Sequence, residues 1–161
     1  MFKASEEFVV GKHNIGYING YFKEIFGNQS FGDMNSPLES KTLEREMNDS
    51  EIMREFNVEE LNLGDVLFAL KNDEILLKNG DANIFYVRGG GEIFAVGVYW
   101  HYGDRKWLVD AHRLGDYRWF AGRRAFPRRL LEPQDISTLS LSNLEARVRK
   151  LESLFAKDLL K

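Results

Sequence analysis

The chain of 161 residues contains 43% hydrophobic and 29% charged residues and has a formal net charge of −3 at pH 7. This length and composition fit one domain with a sizeable core better than two independent domains. The chain has no Cys, which excludes disulfides, thiol catalysis, cysteine-ligated zinc and iron–sulfur clusters. We expect a soluble cytoplasmic domain, because the sequence shows neither a signal peptide nor the about 20 apolar residues of a membrane span.

The charges are distributed unevenly along the chain. Residues 1–82 hold 8 Lys or Arg and 16 Asp or Glu, a balance of −8. Residues 83–161 hold 14 and 9, a balance of +5. Two alternatives follow: faces of opposite sign meet within the fold, or the two faces serve different partners.

Residues 1–40 predict a helix followed by a polar linker. Apolar residues recur at helical spacing from Ile18 to Ile25, and Gly27 stands where the helix would end. The stretch 27–37 is rich in turn residues, which predicts the linker.

Residues 41–63 predict acidic amphipathic helices. Apolar residues alternate with charged ones between Thr42 and Phe56, and Asp49 or Ser50 is placed to cap a second helix. An acidic helix is ordinarily a solvated face. The alternative is a surface that binds a basic protein partner.

Residues 64–132 predict an antiparallel β domain, a meander of about five or six strands. Four of its β-rich runs are 66–70, 74–78, 84–87 and 93–102. Turn residues separate these runs, and loops this short join antiparallel neighbours.

One hairpin of this meander can be given a register. A two-residue turn at Gly103 and Asp104 predicts the pairs Tyr102–Arg105, Trp100–Trp107, Val98–Val109 and Val96–Ala111. These strands then share an apolar core face. The opposite face is mixed, so it is either half covered by a helix or a working surface; its residues are Tyr99, His101, Leu108, Asp110 and His112.

Residues 137–161 predict a C-terminal amphipathic helix. A capping box begins it, and its apolar positions also fit the heptad spacing of a coiled coil. The helix either docks on the chain's own sheet or forms a homo-oligomer. The predicted oligomerisation residues are Leu141, Leu144, Val148, Leu151 and Phe155.

Candidate catalytic residues are few. Asp110 and His112 share a strand face at i, i+2, and Asp116 follows soon after. Such a cluster suits a divalent metal or acid–base chemistry, although polar residues on the wetter face of a strand are equally arranged in this way. His101 lies about 20 Å along the hairpin from His112, too far to share one metal. We expect no cofactor, since no phosphate loop or nucleophile motif is present.

The densest feature is the basic-aromatic segment, Tyr117–Arg129, with five Arg and four aromatic residues in thirteen positions. Guanidinium groups pair with phosphates, and flat rings stack on unpaired bases. The alternatives are a protein partner, or rings in the core with the Arg side chains paired to the acidic helices. The predicted polyanion-binding residues are Arg105, Lys106, Arg113, Arg118, Trp119, Arg123, Arg124, Phe126, Arg128 and Arg129.

Together these patterns predict an α+β fold with N-terminal helices, a central antiparallel meander and a C-terminal amphipathic helix. The first functional hypothesis is a non-enzymatic binding module whose basic-aromatic edge contacts a polyanion, nucleic acid above all. The second is a protein–protein interaction or oligomerisation protein that uses the C-terminal and acidic helices. The third is a small metal-assisted hydrolase.

Overall fold

A computed structural model describes residues 1–115 and 117–130 of the chain. The strands are β1 (Phe2–Lys3), β2 (Ile15–Ile18), β3 (Ser30–Phe31), β4 (Lys41–Thr42), β5 (Met47–Asn48), β6 (Asn83–Gly89), β7 (Glu92–His101), β8 (Lys106–Arg113), β9 (Arg118–Trp119) and β10 (Arg124–Phe126). The helices are α1 (Ala4–Glu7), α2 (Gly20–Phe26), α3 (Asp49–Glu55) and α4 (Leu63–Lys71), with a 3-10 turn at Asp73–Ile75.

The main sheet has six strands in the order β2-β8-β7-β6-β10-β4. The prediction of mixed α and β structure with a large, mainly antiparallel sheet is confirmed. The meander itself is shorter than predicted, because only β6, β7 and β8 follow one another as antiparallel neighbours. On either side of them β2 runs parallel to β8 and β10 runs parallel to β6. Both β2 and β10 are distant in sequence from the strands they pair with, and reasoning from short loops does not predict such pairings.

The β7–β8 register matches the predicted one from Val96–Ala111 to Trp100–Trp107. The turn differs. The ladder closes at His101 and Lys106, which leaves the four-residue turn 102–105. Arg105 takes a left-handed conformation at φ 54°, and its N–H donates to the His101 carbonyl at 2.8 Å. The predicted Tyr102–Arg105 pair is therefore absent.

One face of the sheet packs on helices. Val96, Val98, Trp107 and Val109 point into this first core and are fully buried. Helices α1, α2 and α4 contribute the other side of the core. Helix α2 ends at Gly27 as predicted, but Ile18 belongs to β2 and not to the helix. Asn19 caps α2 by accepting the Phe22 N–H at 2.9 Å.

The run 66–70, predicted as a strand, belongs to helix α4. Asn62 and Asp65 form a capping box at the start of this helix, and each side chain accepts the other residue's backbone N–H. Nearly every residue of α4 is buried, so no polar stripe reveals the helical period. The run 74–78 is likewise not a strand, because it overlaps the 3-10 turn and then continues without regular structure.

The acidic region 41–63 contains less helix than predicted. Strands β4 and β5 occupy its first part, and a single seven-residue helix, α3, follows. The cap of α3 is Asn48, whose side chain accepts the Glu51 N–H at 2.9 Å. Asp49 is therefore released from capping and points into the protein, where it is 1% exposed.

Helix α3 and strands β5 and β9 cover part of the second face of the sheet. Ile84, Tyr86, Ala95 and Ala125 are buried there in a second, smaller core with Trp119. Within the described residues, no helix combines the length and the apolar character needed to cross a bilayer. The predicted C-terminal helix at 137–161 lies outside the described residues.

Candidate functional site

The second face of the sheet is covered on its β6 side and more open on its β8 side. Along β8, half-buried Leu108, Asp110 and His112 alternate with buried residues of the first core. In the ladder Leu108 pairs with Tyr99 and Asp110 pairs with Gly97. We refer to Tyr99, Leu108, Asp110 and His112 as the β8 shelf. The expectation that this face is half covered therefore holds, since α3, β5 and β9 cover its β6 side; its use as a working surface stays a prediction.

Two aromatic residues bound the shelf where the chain leaves β8. The ring centroid of Tyr117 lies 4.1 Å from that of His112, and Tyr117 stacks on Trp119 at 5.8 Å. Trp119 is buried, because strand β9 pairs with β5 and carries the indole into the second core. Tyr117 is exposed over 48% of its surface.

The buried carboxylate of Asp49 holds the chain that follows β8 in place. Asp49 Oδ1 accepts hydrogen bonds from the Tyr86 hydroxyl and from Trp119 Nε1, both at 2.8 Å. Its Oδ2 accepts the Gly115 N–H at 2.7 Å. Three donors compensate the desolvation of this carboxylate. Burial, together with the negative charge of Asp49, raises the pKa of the Tyr86 phenol well above its usual range.

Three arginines of the basic-aromatic segment are committed to the fold. Arg129 forms a bidentate pair with Asp65, at 2.8 and 2.6 Å, and Asp65 is completely buried. Arg128 lies 2.7 Å from Glu39 Oε2 and also donates to the Asn57 carbonyl. Arg124 donates to the Ile75 carbonyl at 2.7 Å. Each of these contacts ties the segment to a distant part of the chain.

Two further arginines of the segment form looser contacts. Arg118 Nε lies 3.1 Å from Glu46, and both side chains are about half exposed. Arg123 lies 3.5 Å from Asp81, and its guanidinium carbon is 5.1 Å from the centroid of the Phe120 ring. Phe120 is 58% exposed. We refer to Tyr117, Arg118, Phe120 and Arg123 as the basic-aromatic surface.

The remaining predicted polyanion-binding residues fall into two groups. Arg105, Lys106 and Arg113 are exposed on and beside the β7–β8 hairpin, where Arg113 donates to the Tyr21 hydroxyl at 2.9 Å. Phe126 is fully buried and stacks on Phe85 at 4.6 Å. Trp119 and Phe126 were predicted to stack on bases, but both rings are enclosed by the protein. In this segment, the rings accessible for stacking are those of Tyr117 and Phe120.

Asp110 and His112, the two described members of the predicted catalytic group, lie together on the shelf. His112 Nε2 is 3.1 Å from Asp110 Oδ1. The third member, Asp116, lies outside the described residues. The described part of the chain contains no group of three His, Cys, Asp or Glu residues arranged to hold a metal ion.

Reasoning from the sequence missed two polar residues that organise the structure. Asp65 accepts hydrogen bonds from Arg129 and from the Asn62 N–H at the start of α4. Buried Asn83 forms hydrogen bonds with both the N–H and the carbonyl of Leu77. The spacing of Asn62 and Asp65 before an apolar run was a usable signal, because it is typical of a capping box. The partner of Arg129, 64 positions away, leaves no local signal.

Comparison with protein-family models, with curated proteins and with solved structures finds no match for this chain.

Proposed function

We propose that this domain is a non-enzymatic binding module for a polyanion, in the first place single-stranded nucleic acid. The basic-aromatic surface is the centre of the site. Phe120 and Tyr117 offer rings for stacking, and Arg118 and Arg123 pair with phosphates. The proposal narrows the set predicted from sequence, since Trp119, Arg124, Phe126, Arg128 and Arg129 serve the fold.

The observation that supports this proposal is the exposed Phe120 ring beside the Arg123 guanidinium. A flat exposed ring with a cation next to it suits a base attached to a phosphate. Single-strand binders combine these two elements, because every base has a flat face and every linkage has a charge.

The ion pairs of Arg118 and Arg123 do not prevent phosphate binding. Exposed pairs such as Arg118–Glu46 contribute only about 0–1 kcal/mol, so a phosphate can replace Glu46 at small cost. The Arg123–Asp81 pair is half-buried, but its contact is long, at 3.5 Å. The bidentate Arg129–Asp65 pair differs, because removing Arg129 would leave a completely buried carboxylate without its charge partner. We therefore expect Arg118 and Arg123 to change partners on binding and Arg129 to keep its own.

Strand β8 gives the proposed site its length. Arg105 and Lys106 lie at one end of this strand, and Arg113 and Tyr117 lie at or beyond the other end. Seven steps of about 3.3 Å span roughly 23 Å. A single strand that runs along β8 from the hairpin residues would pass Arg123, next to the row in which Arg124, Asn83, Val98 and Val109 are paired, and would reach Tyr117 beside His112.

The first test is fluorescence anisotropy with a labelled single strand of about 15 nucleotides and with the matching duplex. We expect tighter binding to the single strand. With three to four phosphate contacts, its affinity should fall about 20- to 50-fold between about 50 and 200 mM salt. Phe120→Ala should weaken binding about 5-fold or more, and Phe120→Trp should retain it.

The matched control is Arg88→Gln. Arg88 is an exposed arginine that pairs with the exposed Glu60, as Arg118 pairs with Glu46. Loss of binding in Arg118→Gln with Arg123→Gln, and not in Arg88→Gln, supports the proposed site. Absence of binding at low salt, or equal losses in both variants, rejects it and favours a protein partner for this surface.

A further inference from the structure

We infer that the cleft between α1 and α2 binds a small carboxylate with an apolar chain, such as a medium-chain fatty acid. The inference goes beyond polyanion binding, since this cleft shares no residue with the basic-aromatic surface. It rests on three features of the described residues: the volume of the cleft, its apolar floor, and a set of polar side chains that have no partner in the protein.

The cleft has a volume of about 480 Å³ and lies between α1, with the residues that follow it, and the C-terminal end of α2. Pockets that hold small molecules measure about 300–1,000 Å³ and are mostly apolar. Phe8 and Phe22 form the floor, because both are buried, and their ring centroids are 5.2 Å apart. Val9 and Val10 also line the cleft, and Val10 is 62% exposed. An alkyl chain bound here would therefore contact apolar side chains.

Three polar side chains line the same cleft, those of Ser5, Lys23 and Asn28. None of the three forms a hydrogen bond or an ion pair with another described residue. The lining contains no acidic residue among those that the structure describes, and Glu7 of α1 is paired with His13 at 2.8 Å. The charge of the cleft is therefore positive. An ammonium, a hydroxyl and an amide are the donors that a carboxylate accepts.

The backbone carbonyls at this end of α2 are already bonded. The Lys23 carbonyl accepts the Gly27 N–H at 2.9 Å, and the Gly27 carbonyl accepts the Ser5 N–H at 3.3 Å. The ammonium of Lys23 is thus left for a ligand. An alcohol of equal chain length lacks the charge that would pair with Lys23, and an amine would be repelled by it. The lining selects a monoanion with an apolar body.

The test is calorimetric titration of the full chain with octanoate, without nucleic acid. We expect one octanoate per chain, with affinity rising about three- to fourfold for each CH₂ added from hexanoate to decanoate, because each added group is buried. Lys23→Gln should weaken octanoate binding about fivefold and leave octanol binding within about twofold. Failure of polyanion binding would leave these results unaffected.

The matched control is Lys71→Gln. Lys71, like Lys23, is an exposed lysine in the last turn of its helix, and its side chain forms no ion pair with a described residue. Weaker octanoate binding in Lys23→Gln, and not in Lys71→Gln, supports the inference. Equal losses in both variants overturn it, and so does equal affinity of the unmodified chain for octanol and octanoate.

A second measurement uses the unmodified chain and does not depend on a variant folding. Nuclear Overhauser effects from octanoate to labelled valine methyl groups should reach Val9 and Val10, and not Val58, which packs against the second core. The inference is overturned if no octanoate binds at millimolar concentration. It is also overturned if the effects on Val58 equal those on Val9 and Val10.

Discussion

At the scale of single residues, buried polar groups with distant partners determine how the loops are held. Asp49 gathers a hydroxyl, an indole N–H and a backbone N–H from three parts of the chain. Asn83 similarly holds the Leu77 backbone and the Val98 carbonyl. Such residues stabilise the fold through hydrogen bonds in a low-dielectric interior, where a polar group without a partner would be destabilising.

Tyr86→Phe tests this role through the pH dependence of stability. Because burial and Asp49 keep the pKa of Tyr86 above its ordinary value of 10.0, the folded chain holds the phenol proton when the unfolded chain has lost it. This contribution to stability is present below pH 10 and is lost as the pH rises above that value. Above pH 10, the Tyr86 phenol therefore lowers the free energy of unfolding by about 1.4 kcal/mol for each unit of rising pH.

We therefore expect urea denaturation of Tyr86→Phe to show a smaller loss of stability between pH 8 and pH 11 than the unmodified chain shows. At pH 8 the variant should be about 1–3 kcal/mol less stable, because Asp49 loses one donor. Tyr102→Phe, at an exposed position of the hairpin turn, is the control and should change neither quantity. Equal alkaline losses in Tyr86→Phe and the unmodified chain would contradict this account.

At the scale of elements, segments in which apolar and polar residues alternate were predicted well, and segments that are apolar throughout were not. The β7–β8 register followed from the turn signal at Gly103 and Asp104, which sets the pairing, and from alternation of period two, which places the apolar residues of both strands on one face. The turn itself spans four residues. Helix α4 was mistaken for a strand because its run is apolar on all sides and shows no period. The parallel strands β2 and β10 join through contacts between distant segments, and nothing local encodes such contacts.

Some features of the candidate site could likewise be predicted from the sequence, and others could not. The proximity of Asp110 and His112 was predictable, because residues at i and i+2 of a strand share a face. The burial of Trp119 and Phe126 was not. The aromatic and basic residues of their segment looked alike in sequence, and only the partners Asp49, Asp65 and Phe85 decide which of them turn inward.

Arg129→Gln tests how the end of the described chain is tied to helix α4. The substitution removes the charge that faces buried Asp65, while Arg129 itself keeps 34% of its side chain exposed. We expect a loss of about 2–4 kcal/mol, below the range for fully buried pairs because water reaches the arginine. Urea denaturation measures this loss.

The comparison variant is again Arg88→Gln, whose exposed ion pair should contribute less than about 1 kcal/mol. If Arg129→Gln lost no more stability than Arg88→Gln, the Arg129–Asp65 pair would not hold the segment to α4.

At the scale of the whole molecule, the charge asymmetry of the sequence is partly used within the fold. Acids from the first half of the chain pair with arginines from the second half, in Glu60–Arg88, Glu46–Arg118, Asp81–Arg123, Glu39–Arg128 and Asp65–Arg129. The described residues thus support meeting faces of opposite sign. Among these five pairs, Glu60–Arg88 and Glu46–Arg118 are the most exposed, each with both side chains about half exposed.

The oligomerisation hypothesis stays a prediction from the sequence, since its residues lie outside the described part of the chain. If the C-terminal segment associates through its heptad positions, Leu144→Asp with Leu151→Asp should lower the mass measured by light scattering to that of one chain. Charged residues at such positions disrupt the apolar seam of a coiled coil. An oligomer whose mass survives both substitutions would exclude this segment as the assembly element.

The most direct test of the central claim is the salt dependence of single-strand binding, compared between the unmodified chain and the Arg118→Gln, Arg123→Gln double variant. Each lost phosphate contact should reduce the slope of log affinity against log salt by about 0.7. We predict a reduction of about 1.4 in the double variant and none in Arg88→Gln. An unchanged slope in the double variant would contradict the assignment of the basic-aromatic surface as the polyanion site.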